Sequence, residues 1–210
     1  MTTGTALLVL AFLAAATYAA WQHRQRRVLA REQHIRTCVF PSGVLQGLQK
    51  AYPHLDLKGV QLTARALRQF FLVHARANGG LVAMPSKAAD ALWHAFILDT
   101  RAYRSFCMAA FGSYLHHLPE GAMRQADNDG SAIWRTWRLA CREENIHPKR
   151  ATRLPLLFAL DAKLGIADAV VYDPAAFKPP PSKGDGCGGS GCGGTGGNDG
   201  GDGGGCGGGE

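Results

Sequence analysis

No Cys-x-x-Cys pair occurs anywhere in the 210 residues, although the chain holds six cysteines. Standard structural zinc modules space their ligands in such pairs, so none of them is present. No basic side chain precedes the apolar run at the N-terminus, so the charged start of a cleaved signal peptide is missing. Ala14-Ala15-Ala16 would still serve as a cleavage site, which keeps cleavage as the alternative to a retained anchor. No block of consecutive Lys or Arg and no interleaved aromatic-and-basic motif marks the body, which sets nucleic acid aside as a partner. Asp127-Asn128-Asp129-Gly130 has the look of a calcium loop, but Arg138 rather than Glu stands at its twelfth position. The calcium reading fails there.

What is present divides by charge and composition. The net charge of +7 splits into +4 over residues 1–36, +6 over the body and −3 over residues 183–210. Residues 4–21 (GTALLVLAFLAAATYAAW) are uncharged and mostly apolar. That is near the lower limit for a helix crossing a hydrocarbon core of about 30 Å. Tyr18 and Trp21 would sit at one interface, and Arg24, Arg26, Arg27 and Arg31 follow at once as a membrane-surface cluster. The positive-inside bias then puts the N-terminus outside and the body in the cytoplasm, with membrane lipid as a partner.

The expected order is a lead over residues 1–3, a transmembrane anchor over 4–21 and a basic juxtamembrane segment over 22–36. A helical domain over 37–173 comes next, then a stiff Pro-rich linker over 174–183 and a Gly/Cys-rich tail over 184–210. The tail holds 17 of the 27 glycines, and Cys187, Cys192 and Cys206 are scattered among them. So little apolar surface cannot offset the entropy of ordering, so the tail is expected to be disordered. The fold class is all-α: the anchor, a compact bundle of about five to six helices, and the tail.

Within the body, Phe40-Pro41-Ser42 opens a short helix with Val44, Leu45, Leu48 and Tyr52 on one face. Asp56 caps a helix from Leu57 to about Asn78, in which Val60, Ala64, Leu67, Phe71 and His74 form a buried stripe. Ser86 caps a helix to about Leu98, and after Asp99-Thr100 another runs from Arg101 to about Leu115. A helix over Ala132–Glu144 carries Ile133, Trp134, Trp137 and Cys141 inward. Pro155 and Gly165 bracket a last helix over Leu156–Leu164. Residues 169–172 read as a short extended segment.

The stretch from Met84 to Glu120 concentrates the chemistry. Asp90 and His94 are four apart on one helix face, as are Tyr103 and Cys107 on the next. The short turn between forces the helices antiparallel, which permits His94 to approach Cys107, with His117 ending the second helix. Asp90, His94, Tyr103, Cys107 and His117 are therefore a candidate polar network or metal site. Carboxylate, imidazole and thiolate suit zinc or iron, and neither is specified. A Cys107 nucleophile with His94 or His117 is also conceivable, although Phe106, Met108 and Phe111 surround the thiol with apolar groups.

Asp90, Trp93, His94, Leu98, Tyr103, Cys107, Gly112 and His117 carry a pattern that resembles the glycine-rich domain protein-like family, over roughly residues 55–120. Phe96 stands where that pattern has a second His. The resemblance implies no catalytic mechanism. Three functions remain open on sequence: a binding or scaffold module at the cytoplasmic membrane face that engages a protein partner; a metal-dependent or thiol enzyme centred on His94 and Cys107; and a carrier of a modified Gly/Cys-rich peptide.

Overall fold

A computed structural model describes residues 3–118, 121–123, 130–167 and 169–177, without the side chains of residues 3 and 5–8. The chain divides into a unit Met1–Pro180 and a unit Pro181–Glu210. The second unit, with Cys187, Cys192, Cys206 and the expected disordered tail, lies outside the described residues. So do Asp127 to Asp129.

The first unit is helical, with no strand among the described residues. Its helices include α1 (Thr3–Thr37), α2 (Ser42–Ala51), α3 (Leu57–Arg76), α4 (Lys87–Leu98), α5 (Thr100–Ala110), α6 (Ser131–Glu143) and α7 (Leu156–Leu164). A 3-10 turn, Pro174–Ala176, follows. Helix α3 is the centre, touching α1, α2, α4, α6 and α7. Its stripe Val60, Ala64, Leu67 and Phe71 is buried as the spacing requires. Phe71 meets Phe106 of α5 at 4.8 Å between ring centroids, and Phe70 meets Trp93 of α4 at 5.1 Å. Each such ring contributes on the order of 1.5–3 kcal/mol through burial.

The caps follow from the sequence. Asp56 Oδ1 accepts from Gly59 N at 2.7 Å, Ser86 Oγ from Ala89 N at 3.1 Å and Asp99 Oδ1 from Ala102 N at 3.2 Å. Each satisfies one of the donors that a helix start leaves free. Helix α6 differs. It begins after Gly130, whose φ is +71°, and has no side-chain cap.

Three expectations need correction. Among the described residues no helix is long and apolar enough to cross a membrane. Residues 4–21 rise only about 27 Å at 1.5 Å per residue, short of a hydrocarbon core of about 30 Å. Anchor and juxtamembrane segment are also not separate pieces. They are one continuous helix, α1, whose second half docks on α3 and α5.

Second, α5 ends at Ala110 rather than near Leu115. Gly112 has φ +80°, and its N–H donates to the Cys107 carbonyl at 3.2 Å, a helix-stopping geometry that favours glycine. Third, the linker does not start at Pro174. Phe177 stacks on Trp137 at 4.2 Å with planes 6° apart, so the folded body continues past residue 173.

Candidate functional site

The early stop of α5 makes the site. Residues 114–118 are not helical, so the chain runs back along α4 and brings His117 onto the Asp90–His94 face. His117 Nε2 lies 3.0 Å from Asp90 Oδ1, and His94 Nδ1 lies 3.5 Å from Asp90 Oδ2. The two imidazoles are 4.4 Å apart between centroids. One ligand atom from each of the three residues falls within 4.8 Å of the others. Metal–ligand bonds of about 2.0–2.1 Å set tetrahedral ligands about 3.3 Å apart, so small side-chain adjustments would close this set around an ion.

Access and support are both present. His94 is 53 % exposed, Asp90 31 % and His117 19 %, so one side of the group faces solvent. The other side is firm, because the Trp93 ring lies 4.6 Å from the His117 ring, edge to face. Trp93 Nε1 donates to the Tyr103 hydroxyl at 3.0 Å, and that hydroxyl donates to the Leu115 carbonyl at 2.7 Å. Trp93 and Tyr103 thus fix the return segment that carries His117.

Five sequence candidates therefore separate into two layers. Asp90, His94 and His117 form the accessible layer. Tyr103 and Cys107 lie beneath it, both fully buried. Among the described residues, Cys107 is not part of the group close enough to share a metal ion. It sits on the inward face of α5, next to Phe106, where the hairpin count had only permitted an approach to His94. Burial pushes its thiol up, against the smaller opposing effects of the Leu115 backbone and the Tyr103 hydroxyl. Burial likewise pushes the Tyr103 phenol up. A protonated, enclosed thiol is no nucleophile. His74 also lies apart, edge-on to Phe111 at 5.2 Å, and burial lowers it.

A family model, UCP032817-like, matches residues 30–192. The chain belongs to the UCP032817-like family. The match takes in Asp90, His94 and His117 and begins within α1, after the apolar run. It carries no link to the glycine-rich domain protein-like family, so that resemblance is set aside. No curated protein and no solved structure matches the chain.

One residue that holds this site in the UCP032817-like chain escaped the reading of the sequence. Asp161 of α7 is buried, and its carboxylate accepts from Ser86 Oγ at 2.6 Å, Lys87 N at 2.6 Å and Ala88 N at 3.2 Å. It closes the first turn of α4, the helix that presents Asp90 and His94. The Tyr172 phenol nearby is pushed up to about 12 by burial and by the Asp161 charge. The available signal was a single carboxylate directly after the apolar run Leu156–Leu160 in the LLFALDAKL segment. A carboxylate in such a helix needs buried donors.

Proposed function

We propose that this chain is a helical binding module that holds one divalent transition-metal ion at Asp90, His94 and His117. The carrying observation is the convergence of two imidazoles and one carboxylate within 4.8 Å on a half-open surface. Two His and one carboxylate suit zinc, with a fourth position left for water or a substrate, and also suit iron(II) with more positions open. Cys107 has no place in this reading, and the thiol-enzyme alternative draws no support from a thiol that is 0 % exposed. The reading is tested by elemental analysis and zinc titration of the full chain, beside His94→Ala. His94 is 53 % exposed, so its loss leaves the fold intact. About one equivalent of zinc or iron in the parent and little in the variant is expected. Equal metal content in both, or none in either, would sink the proposal.

A membrane-face position is a second reading, favoured by the first half of α1. Val9, Leu10, Phe12, Leu13, Tyr18 and Trp21 are all more than half exposed there. An apolar helix face that none of the described residues covers is matched by lipid. The Arg24, Arg26, Arg27 and Arg31 cluster that follows suits anionic headgroups, with the body on the cytoplasmic side. Co-sedimentation with vesicles containing phosphatidylglycerol checks this. A chain that stays in the supernatant at low and high salt would count against it.

A further inference from the structure

Away from the histidines, a groove of about 850 Å³ opens between α3, α7 and the segment leading into α7. Five cations line it: Arg36, Arg65, Arg68, Arg153 and Lys163, against the carboxylates of Glu143 and Glu144. Both carboxylates are already engaged. Glu143 pairs with Arg36 and with Arg76, and Arg76 is also held by Glu32 at 2.8 and 2.6 Å. Glu144 accepts from Gln69 Nε2 at 2.9 Å, from the Leu156 amide and from Arg153. The groove is therefore left with three cations that no carboxylate among the described residues answers.

Those three differ in a useful way. Arg68 is preset: its Nε donates to the Cys38 carbonyl at 2.8 Å, and its guanidinium lies 5.4 Å over the Phe40 ring. Arg65 stands three residues before it on α3, one neighbouring row of the same face. Lys163 reaches in from α7. Arg65 and Lys163 are exposed, and neither is paired with a carboxylate among the described residues. A fixed guanidinium costs little further ordering when it binds, and Arg beside Lys matches the several oxygens of a phosphate group. Leucines on the groove wall, Leu62 and Leu72 among them, offer apolar contact to whatever carries the phosphate. The volume is in the range of small-molecule sites, roughly 300–1,000 Å³.

We infer that this groove is a binding site for a phosphate-bearing small ligand, held by Arg65, Arg68 and Lys163. The site is independent of the metal group, so either can fail alone. The test is calorimetric titration of the full chain with inorganic pyrophosphate, with EDTA present so that metal plays no part. The same titration is run on an Arg65→Gln, Lys163→Gln double variant, whose exposed side chains do not hold the fold together. Saturable binding that weakens at least tenfold in the double variant is expected. Monomeric short-chain phosphatidylglycerol serves as competitor: displacement of pyrophosphate identifies a lipid headgroup as the source, and no displacement identifies a soluble phosphate. No saturable heat in the parent, or equal affinity in the double variant, overturns the inference.

Discussion

Replacing Asp161 with alanine removes the acceptor of three hydrogen bonds at the start of α4. The Lys87 amide belongs to an exposed residue and finds water. The Ser86 hydroxyl and the Ala88 amide do not, because both residues are buried. Two buried donors without partners cost about 1–3 kcal/mol each, and the relief of no longer burying a carboxylate offsets part of that. The expected net loss is about 3 kcal/mol. With a urea slope of about 1–3 kcal/mol/M, the midpoint falls by about 1–3 M. Asp161→Asn keeps one acceptor for Ser86 but turns an amide donor toward the Lys87 N–H, so it falls between parent and alanine. The assay is urea unfolding followed by Trp fluorescence, with zinc titration of the folded variants alongside. Because Asp161 fixes the turn that presents Asp90 and His94, zinc affinity should fall with stability. A loss under about 1 kcal/mol for alanine would refute the reasoning, since buried donors left unmade cannot be that cheap.

Two further outcomes follow from the geometry. Burial on its own would lift the Glu143 carboxyl, but its hydrogen bonds with Arg36 and Arg76 outweigh that and hold it below its ordinary 4.5. The unfolded chain therefore binds the proton more tightly, so this contribution is complete above about pH 4.5 and is lost as pH falls through the lower folded value. Urea midpoints between pH 7 and pH 3 should drop more steeply in the parent than in Glu143→Gln, and matching slopes would exclude the account. In α2, a Cβ on Gly47 would lie 2.9 Å from the Ala95 Cβ of α4, whereas Gly43 has nothing within 4 Å. Gly43→Ala should stabilise by about 0.5–1 kcal/mol and Gly47→Ala should destabilise by about 1–3 kcal/mol. Thermal melts of the same sign for both would contradict the packing.

Local signals made most of the helices readable. Asp56, Ser86 and Asp99 cap the helices they precede, and Pro155 and Gly165 bracket α7 at the stated residues. Those are short-range effects, and a sequence carries them openly. The Asp90–His94 pair was legible for the same reason. His117 lies beside Asp90 and His94 on a returning segment rather than on a helix, because Gly112 adopts φ +80° and α5 stops at Ala110, five residues before the end that apolar spacing suggests. Cys107 was misplaced because a hairpin count gives height along the helices and says nothing about which way a side chain faces. Asp161 and Glu144 were missed because their partners lie far off in sequence, Ser86 and Gln69 being 75 residues away in each case. Long-range polar pairing leaves little trace in local pattern.

Helix α1 runs unbroken over 35 residues, with no Pro or Gly after Gly4. Nothing along it provides a joint. Its docked half is tied to the body by Glu32 and Arg36, which meet Arg76 and Glu143. Whatever surface the free half settles on therefore sets the rotational phase of the whole body, at about 100° per residue and 1.5 Å of rise. One residue inserted between Trp21 and Arg24, ahead of Val28 and Arg31 where α1 begins to face the body, would turn the histidine face by more than a quarter of a circle relative to that surface. The orientation of the site is written in the length of a helix that does not touch it.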